Sequence, residues 1–272
     1  MDILLNDILH LNQKNVKVRF NIYNNIEDPI DVYLTNKHVV NNQWLFWKND
    51  KTIFRVGDIV ICLVRIKGDF WLLTTIKEVT KDLNITNNIG YIGVEISEFK
   101  KFFGKLVIQF HKNGQYRIVN YNNFKNRLIV NKLLENVYDG DEFPGYNKVS
   151  ISYTQLNNIV KNNKTDWINA LNNQKAVYLL TDCNNGKLYV GSATSSNGML
   201  LSRWKNYLST CHGGNVKLKK LVNHKGIDYF KRHFKFSIIE NYNETVDDKV
   251  ILTRESYWKD VLKTRDFGYN EN

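Results

Sequence analysis

The chain has almost no proline: Pro29 and Pro144 are the only two in 272 residues. That excludes a polyproline spacer or a long proline-rich linker between domains. Cysteine is scarce as well, with Cys62, Cys183 and Cys211. An odd count at spacings that match no zinc pattern excludes a disulfide framework and a structural zinc site, and places the chain in a reducing compartment. No run approaches the ~18 apolar residues of a membrane span. The opening segment MDILLNDILHLNQKN lacks the basic start and long apolar centre of a secretory signal. Together these absences predict a cytoplasmic protein with no membrane partner. Acid is also in deficit, with 27 Asp and Glu against 38 Lys and Arg, for a net charge of +11. Such a surface favours polyanions, nucleic acid first.

What is present is ordinary globular material. Hydrophobic residues make up 43% and aromatics 13%, enough for real cores. The first part reads as β-rich. VKVRFNIY (16–23) alternates apolar and polar residues as a half-buried strand does. GDIVICLVRI (57–66) and DFWLLTTIKEV (69–79) predict a hairpin turning at Lys67 and Gly68. KLVIQFH (105–111) and GQYRIVNY (114–121) predict a second hairpin around Lys112 and Asn113. Several short strands close together suggest a small barrel or strongly curved sheet. The segment 122–138 carries Leu128, Val130, Leu133 and Leu134 at roughly helical spacing and predicts a helix. Ser152 and Gln155 form a capping-box pattern, and Asp166 is a candidate cap for a short helix containing Trp167, Ile168 and Leu171. The fold class is therefore α+β, with a β-rich barrel-like domain over 1–140, a helical connector over 141–172 and a smaller domain over 173–272. Gly90-Tyr91-Ile92-Gly93 reads as a loop entering a strand.

The last third carries the chemistry. AVYLLTDCNNGKLYVGSA (176–193) is strand, turn, strand, with Tyr178 on the first strand and Tyr189 on the second. A tyrosine pair across a hairpin is, taken alone, a packing device. Downstream, Met199 to Ser209 has the apolar period of a helix through Leu200, Leu201, Trp204 and Leu208. Arg203 and Tyr207 are four apart and project from one face of it. In a second helix over about 247–263, Ile251, Glu255, Trp258 and Leu262 share one stripe. A carboxylate on an otherwise apolar face must be paired, protonated or bound to a metal. The plainest option is a salt bridge with an arginine, and the functional option is metal ligation.

Ala176-Val177-Tyr178, ten residues, then Tyr189-Val190-Gly191 resembles the paired signature of GIY-YIG nucleases. Ala176 stands in place of glycine, and valine in place of each isoleucine. The resemblance covers 173–272 and implies a small α/β domain with a central antiparallel sheet flanked by helices. It also implies an essential arginine with an aromatic partner one turn later, at Arg203 and Tyr207. A single glutamate ligand of a divalent metal, Mg²⁺ or Mn²⁺, falls at Glu255, and a late asparagine at Asn270. The implied activity is metal-dependent hydrolysis of DNA. Tyr178 would be the base, its pKa lowered by positive charge from Arg203 or Lys187. A proton shared with Tyr207 or Tyr189 would assist. Arg203 would grip the phosphate, and Asn270 would orient Glu255 or one of the ion's waters.

DNA contacts are expected from Lys187 and from Lys217, Lys219 and Lys220, in a helix that Asn215 could cap. Gly213-Gly214 would let the backbone approach a phosphate. In the first domain, Trp47 and Arg65 are the candidate DNA-binding residues, set among aromatics (Trp44, Phe46, Phe70, Trp71) that also suit a core. The expected role is a restriction or defence endonuclease with an N-terminal target-recognition domain, with or without a requirement for modified bases, pairing as a homodimer to cut both strands. A homing or repair nuclease, or a non-catalytic nucleic-acid-binding protein on a degenerate nuclease fold, are the alternatives.

Overall fold

The computed structural model describes residues 2–11 and 15–271. It divides into two compact units, Met1–Tyr138 and Asp139–Asn272. The class is α+β, with a curled half-barrel sheet in the first unit and an α/β arrangement in the second.

In the first unit, α1 (Leu5–Leu9) precedes β1 (Val16–Asn21), and α2 (Pro29–Thr35) follows it. Then come β2 (Trp47–Lys48), β3 (Ile59–Lys67), β4 (Phe70–Asp82), β5 (Asn88–Ile89), β6 (Tyr91–Glu95), β7 (Leu106–Gln109), β8 (Ile118–Asn120) and β9 (Ile129–Leu133). The main sheet runs β8-β1-β3-β4-β7-β9, with β6 also on β4. Strand period explains why both faces are covered. Along β3, Ile59, Ile61 and Leu63 enter one core, while Val60, Cys62 and Val64 enter the other. β4 changes partner along its length: Phe70–Leu72 pair with β7, and Lys77–Asp82 pair with β6 across a register shift at Val79. A long strand that serves different neighbours at its two ends curls the sheet.

The β3–β4 hairpin is present, with Gly68 at φ +55° in its turn. The second expected hairpin is not. β7 pairs with β4 and β9, whereas β8 pairs with β1 at the opposite edge. The intervening segment crosses the sheet end instead, pinned where Trp71 Nε1 donates to the Phe110 carbonyl (2.9 Å) and Phe110 stacks on Phe20. The helix expected over 122–138 is also replaced, by short 3₁₀ turns and β9. Leu128 and Val130, two apart, share one core as a strand requires, and Leu134 reaches the other core past the extra residue that the β7–β9 pairing shows between Val130 and Lys132.

In the second unit, β10 (Ser150–Ser152), α3 (Tyr153–Lys161) and α4 (Thr165–Asn172) lead into β11 (Lys175–Asp182) and β12 (Leu188–Ala193). α5 (Leu200–Thr210), α6 (Val216–Lys225), α7 (Ile227–His233), β13 (Phe234–Tyr242) and α8 (Asp248–Val261) complete it. The capping box at Ser152 and Gln155 forms and opens α3. Asp166 does not cap α4, whose N-cap is Lys164; its carboxylate instead accepts from the Phe143 amide at 2.7 Å. The antiparallel sheet order is β10-β13-β11-β12. One face carries Tyr178, Leu180 and Tyr189 into a core closed by α3, α4, α5 and α7. The other turns Val177 and Val190 against Ile251, Trp258 and Leu262 of the α8 segment. The stripe read along that helix is therefore its packing face.

Candidate active site

The site begins with register. Tyr178 on β11 lies directly opposite Gly191 on β12. A Cβ at Gly191 would sit 2.5 Å from the Tyr178 hydroxyl, so the glycine ending the Tyr-Val-Gly segment is there to seat the tyrosine ring. From α5, Tyr207 brings its hydroxyl to 3.1 Å from that of Tyr178, and Arg203 Nη2 donates to Tyr178 at 3.4 Å. One helical turn separates the two, as their spacing required. Tyr189 completes an aromatic triangle, with centroids 6.5 Å from Tyr178 and 6.3 Å from Tyr207. Tyr178 and Tyr207 are fully buried. Gly213 is held at φ +55°, and a Cβ there would meet the Tyr207 ring at 2.4 Å. Its smallness serves that ring rather than a phosphate.

The electrostatics depart from expectation in one respect. Burial raises the Tyr178 pKa, and Arg203 and Tyr207 only partly oppose it. Tyr189 and Tyr207 are raised too, again through burial first. Lys187 is exposed in the β11–β12 turn and takes no part. The resting site thus holds three neutral phenols. Burial works against the Arg203 charge, but the surrounding tyrosine oxygens reverse this and raise its pKa overall. Its Nε is buried with no hydrogen-bond partner among the described residues. A buried donor left free beside the hydroxyl cluster is suited to an incoming oxyanion.

Glu255 comes from α8, which packs on the face of the sheet opposite α5. Ser192, next to Gly191 on β12, donates its hydroxyl to Glu255 Oε2 at 2.6 Å. Lys259 pairs with Oε1 at 2.9 Å. The partner is therefore a lysine four residues on along the same helix, not an arginine. The Glu255 charge is close enough to act against ionisation of both Tyr178 and Tyr189. No group of three or more His, Cys, Asp or Glu that could hold a metal occurs among the described residues. One carboxylate beside a hydroxyl suits a hard cation that keeps most of its waters and takes a substrate phosphate. Glu255 would hold it, once Lys259 yields one oxygen.

Asn270 occupies a different place from the one expected. Its Oδ1 accepts from the Val190 amide (2.9 Å) and its Nδ2 donates to the Val190 carbonyl (2.8 Å). Both ends of the amide are committed to the edge of β12, so it braces the hairpin rather than orienting Glu255. Beside it, fully buried Asp182 accepts from Tyr269 (2.6 Å) and Tyr229 (3.0 Å) and from the Asn184 amide. Asn215 caps α6 through the Leu218 amide. On that helix Lys217 donates to the Arg265 carbonyl, whereas Lys219 and Lys220 are exposed. In the first unit, Trp47 is 40% exposed, while Phe46 and Trp71 are core. Arg65 lies over Trp71 and donates to the Gly68 carbonyl.

Ser192, Lys259 and Asp182 escaped the reading of the sequence. A Glu–Lys pair four apart on a helix was a visible signal. Ser192 was not, because its role depends on which face of β12 meets α8.

The model of the GIY-YIG catalytic domain matches residues 174–270. Among solved structures, a mutant of the catalytic domain of intron endonuclease I-TevI is 27% identical, covering 36% of this chain and 94% of that one, with a TM-score of 0.28. The catalytic domain of homing endonuclease I-TevI is 28% identical over 35% and 96%, with a TM-score of 0.27. No curated protein matches the chain. Residues 174–270 are a GIY-YIG catalytic domain, and the protein is a nuclease.

Proposed function

We propose that the chain is a divalent-metal-dependent DNA endonuclease of the restriction or defence type, its first unit selecting the target. The observation that carries the catalytic part is the convergence of Tyr178, Tyr207 and Arg203 with a free Arg203 donor, and the Glu255 carboxylate acts on Tyr178 through its charge. Arg203 takes non-bridging oxygens of the scissile phosphate through its planar fork. Tyr178 accepts a proton from the attacking water as its oxygen forms a bond to phosphorus and the bond to the leaving 3′ oxygen breaks. For this the Tyr178 phenol must first lose its own proton, and Arg203 and Tyr207 are the groups that favour its ionised form. Tyr189 packs against both phenol rings and holds them in place. When bound at Glu255, Mg²⁺ or Mn²⁺ supplies charge to neutralise the phosphate and the departing oxygen. Lys219 and Lys220 follow the DNA backbone, with Lys187 at the hairpin turn.

Purified protein is expected to nick or cut DNA in Mg²⁺. Glu255→Gln, which preserves an acceptor for Ser192, removes cutting and leaves DNA binding in place. Robust cleavage by that variant would sink the assignment. A panel of modified phage DNA and unmodified plasmid tests the restriction reading, which fails if every DNA is cut alike and without site preference. Sedimentation with and without DNA reads out pairing for double-strand cleavage.

A further inference from the structure

The first unit contains a positive charge that its own fold does not neutralise. Arg19, on β1, is only 8% exposed. Its Nη1 donates to the carbonyls of Leu45 (3.3 Å) and Trp47 (3.4 Å). Among the described residues no carboxylate pairs with it. Burial pulls its pKa down to about 10, and Arg117 adds to the strain while the Cys62 thiol works the other way. Keeping a guanidinium inside a fold without a counter-charge is costly. A ligand that supplies the missing negative charge removes that cost.

The surroundings indicate which ligand. Two cavities, of about 210 and 550 Å³, share three lining residues: Arg19, Arg117 and Trp47. The larger falls within the size range of small-molecule sites. Lys17 also lines it, but its charge is already met by Asp58 at 3.0 Å. Trp47 is 40% exposed at the wall common to both cavities, and its indole N–H is satisfied by Asn49. Its ring is therefore presented as a face rather than a donor. The positive field does not stop at the cleft. Arg117 acts on Lys112, and Lys112 is also within reach of Arg65. None of these three has an ion-pair partner among the described residues.

We propose that this cleft is a nucleotide subsite for a nucleic-acid strand: Arg19 and Arg117 take a backbone phosphate, Trp47 stacks on the adjoining base, and Lys112 and Arg65 carry the next phosphates. An isolated phosphate would have no use for the indole face, and a free nucleotide none for the continued basic track. The inference rests on the reading that the chain acts on DNA, and gives its first unit a specific point of contact.

The test uses the full chain in EDTA, so that binding is read without cleavage. Anisotropy of a short labelled single strand and of its duplex measures affinity, with dAMP and inorganic phosphate as competitors. Arg117→Ala is expected to weaken strand binding about tenfold and to lower the salt slope by about one. Trp47→Ala weakens it by about tenfold, and Trp47→Phe restores most of the loss. Both positions are exposed, so folding is not at issue. Variants that bind within twofold of the parent overturn the proposal. So does displacement of the strand by dAMP or phosphate at equal concentration, since the ligand is then not a strand. If the variants bind poorly but the parent cuts no DNA, the subsite stands and the nuclease reading falls. If the parent cuts DNA and the variants bind normally, the reverse holds.

Discussion

Replacing Glu255 by alanine is the obvious test of a metal ligand, but the structure predicts that it removes more than a ligand. Lys259 and Glu255 have side chains 9% and 13% exposed. A solvent-facing pair four apart on a helix is worth roughly 0.3–0.5 kcal/mol. A pair withdrawn from water behaves differently, because deleting one partner strands the other charge at a cost of about 3–5 kcal/mol. With about a tenth of each side chain still exposed, the low end applies, so Glu255→Ala costs about 3 kcal/mol. At a urea slope of about 2 kcal/mol per molar this moves the midpoint of the second unit down by about 1.5 M. Adding Lys259→Met removes the stranded ammonium and recovers most of the loss, since an apolar replacement of a whole buried pair is close to neutral. The assay is a double-mutant cycle by urea denaturation, followed by far-UV circular dichroism with Glu255→Gln as the conservative control. If Glu255→Ala moves the midpoint by less than about 0.3 M, or Lys259→Met fails to recover it, the pair is not desolvated and the reasoning is wrong.

Three further expectations rest on the same geometry. Burial raises the Tyr178 pKa, so if its phenolate is the base, kcat/KM rises tenfold per pH unit from about pH 7 to 9 with no plateau; a flat profile measured there excludes that role. Asn270→Ala leaves the Val190 amide and carbonyl without their partner, so thermal denaturation should show a loss of about 2 kcal/mol, while cleavage per folded molecule at low temperature stays near the parent's. Glu240 is held down to about 2, by Arg254 above all and also by Tyr242 and Trp258 against the effect of burial. It therefore contributes stability that is present above its ordinary 4.5 and lost as pH falls toward 2. Glu240→Gln should remove about 1 kcal/mol at pH 7, and the gap to the parent should close in denaturation curves taken near pH 2.

Short-range features of the chain were legible because their physics is short-range. The turn at Gly68, the box at Ser152 and Gln155, and the one-turn spacing of Arg203 and Tyr207 each depend on a few neighbouring residues. The placement of Glu255 on an inward stripe was legible for the same reason. Pairing between distant strands was not. Alternation marks 105–111 and 114–121 as extended, but β7 and β8 go to opposite parts of the sheet because their partners, β4, β9 and β1, are chosen by packing around Phe20, Trp71 and Phe110. Leu128 and Leu134 show the complementary error. With Val130 and Leu133 they suggest a loose helical pattern, although six residues put Leu128 and Leu134 about 120° apart on a helix, and the sheet takes one on each of its faces. The direction of the Tyr178 pKa depended on how completely helices cover the hairpin, which no local pattern encodes.

The clasp that Tyr269 and Asn270 place on the hairpin sets the order in which a working site can arise. These contacts join residues 80 to 87 positions apart, and such long-range closures form slowly because a long loop must be ordered before they reward it. As the chain is synthesised, β11 and β12 can pair early, with both tyrosines already in register. Val190 and Asp182 then wait for Tyr269 and Asn270 before these polar groups are met. Until those residues are in place the hairpin carries its signature but not its full set of polar contacts.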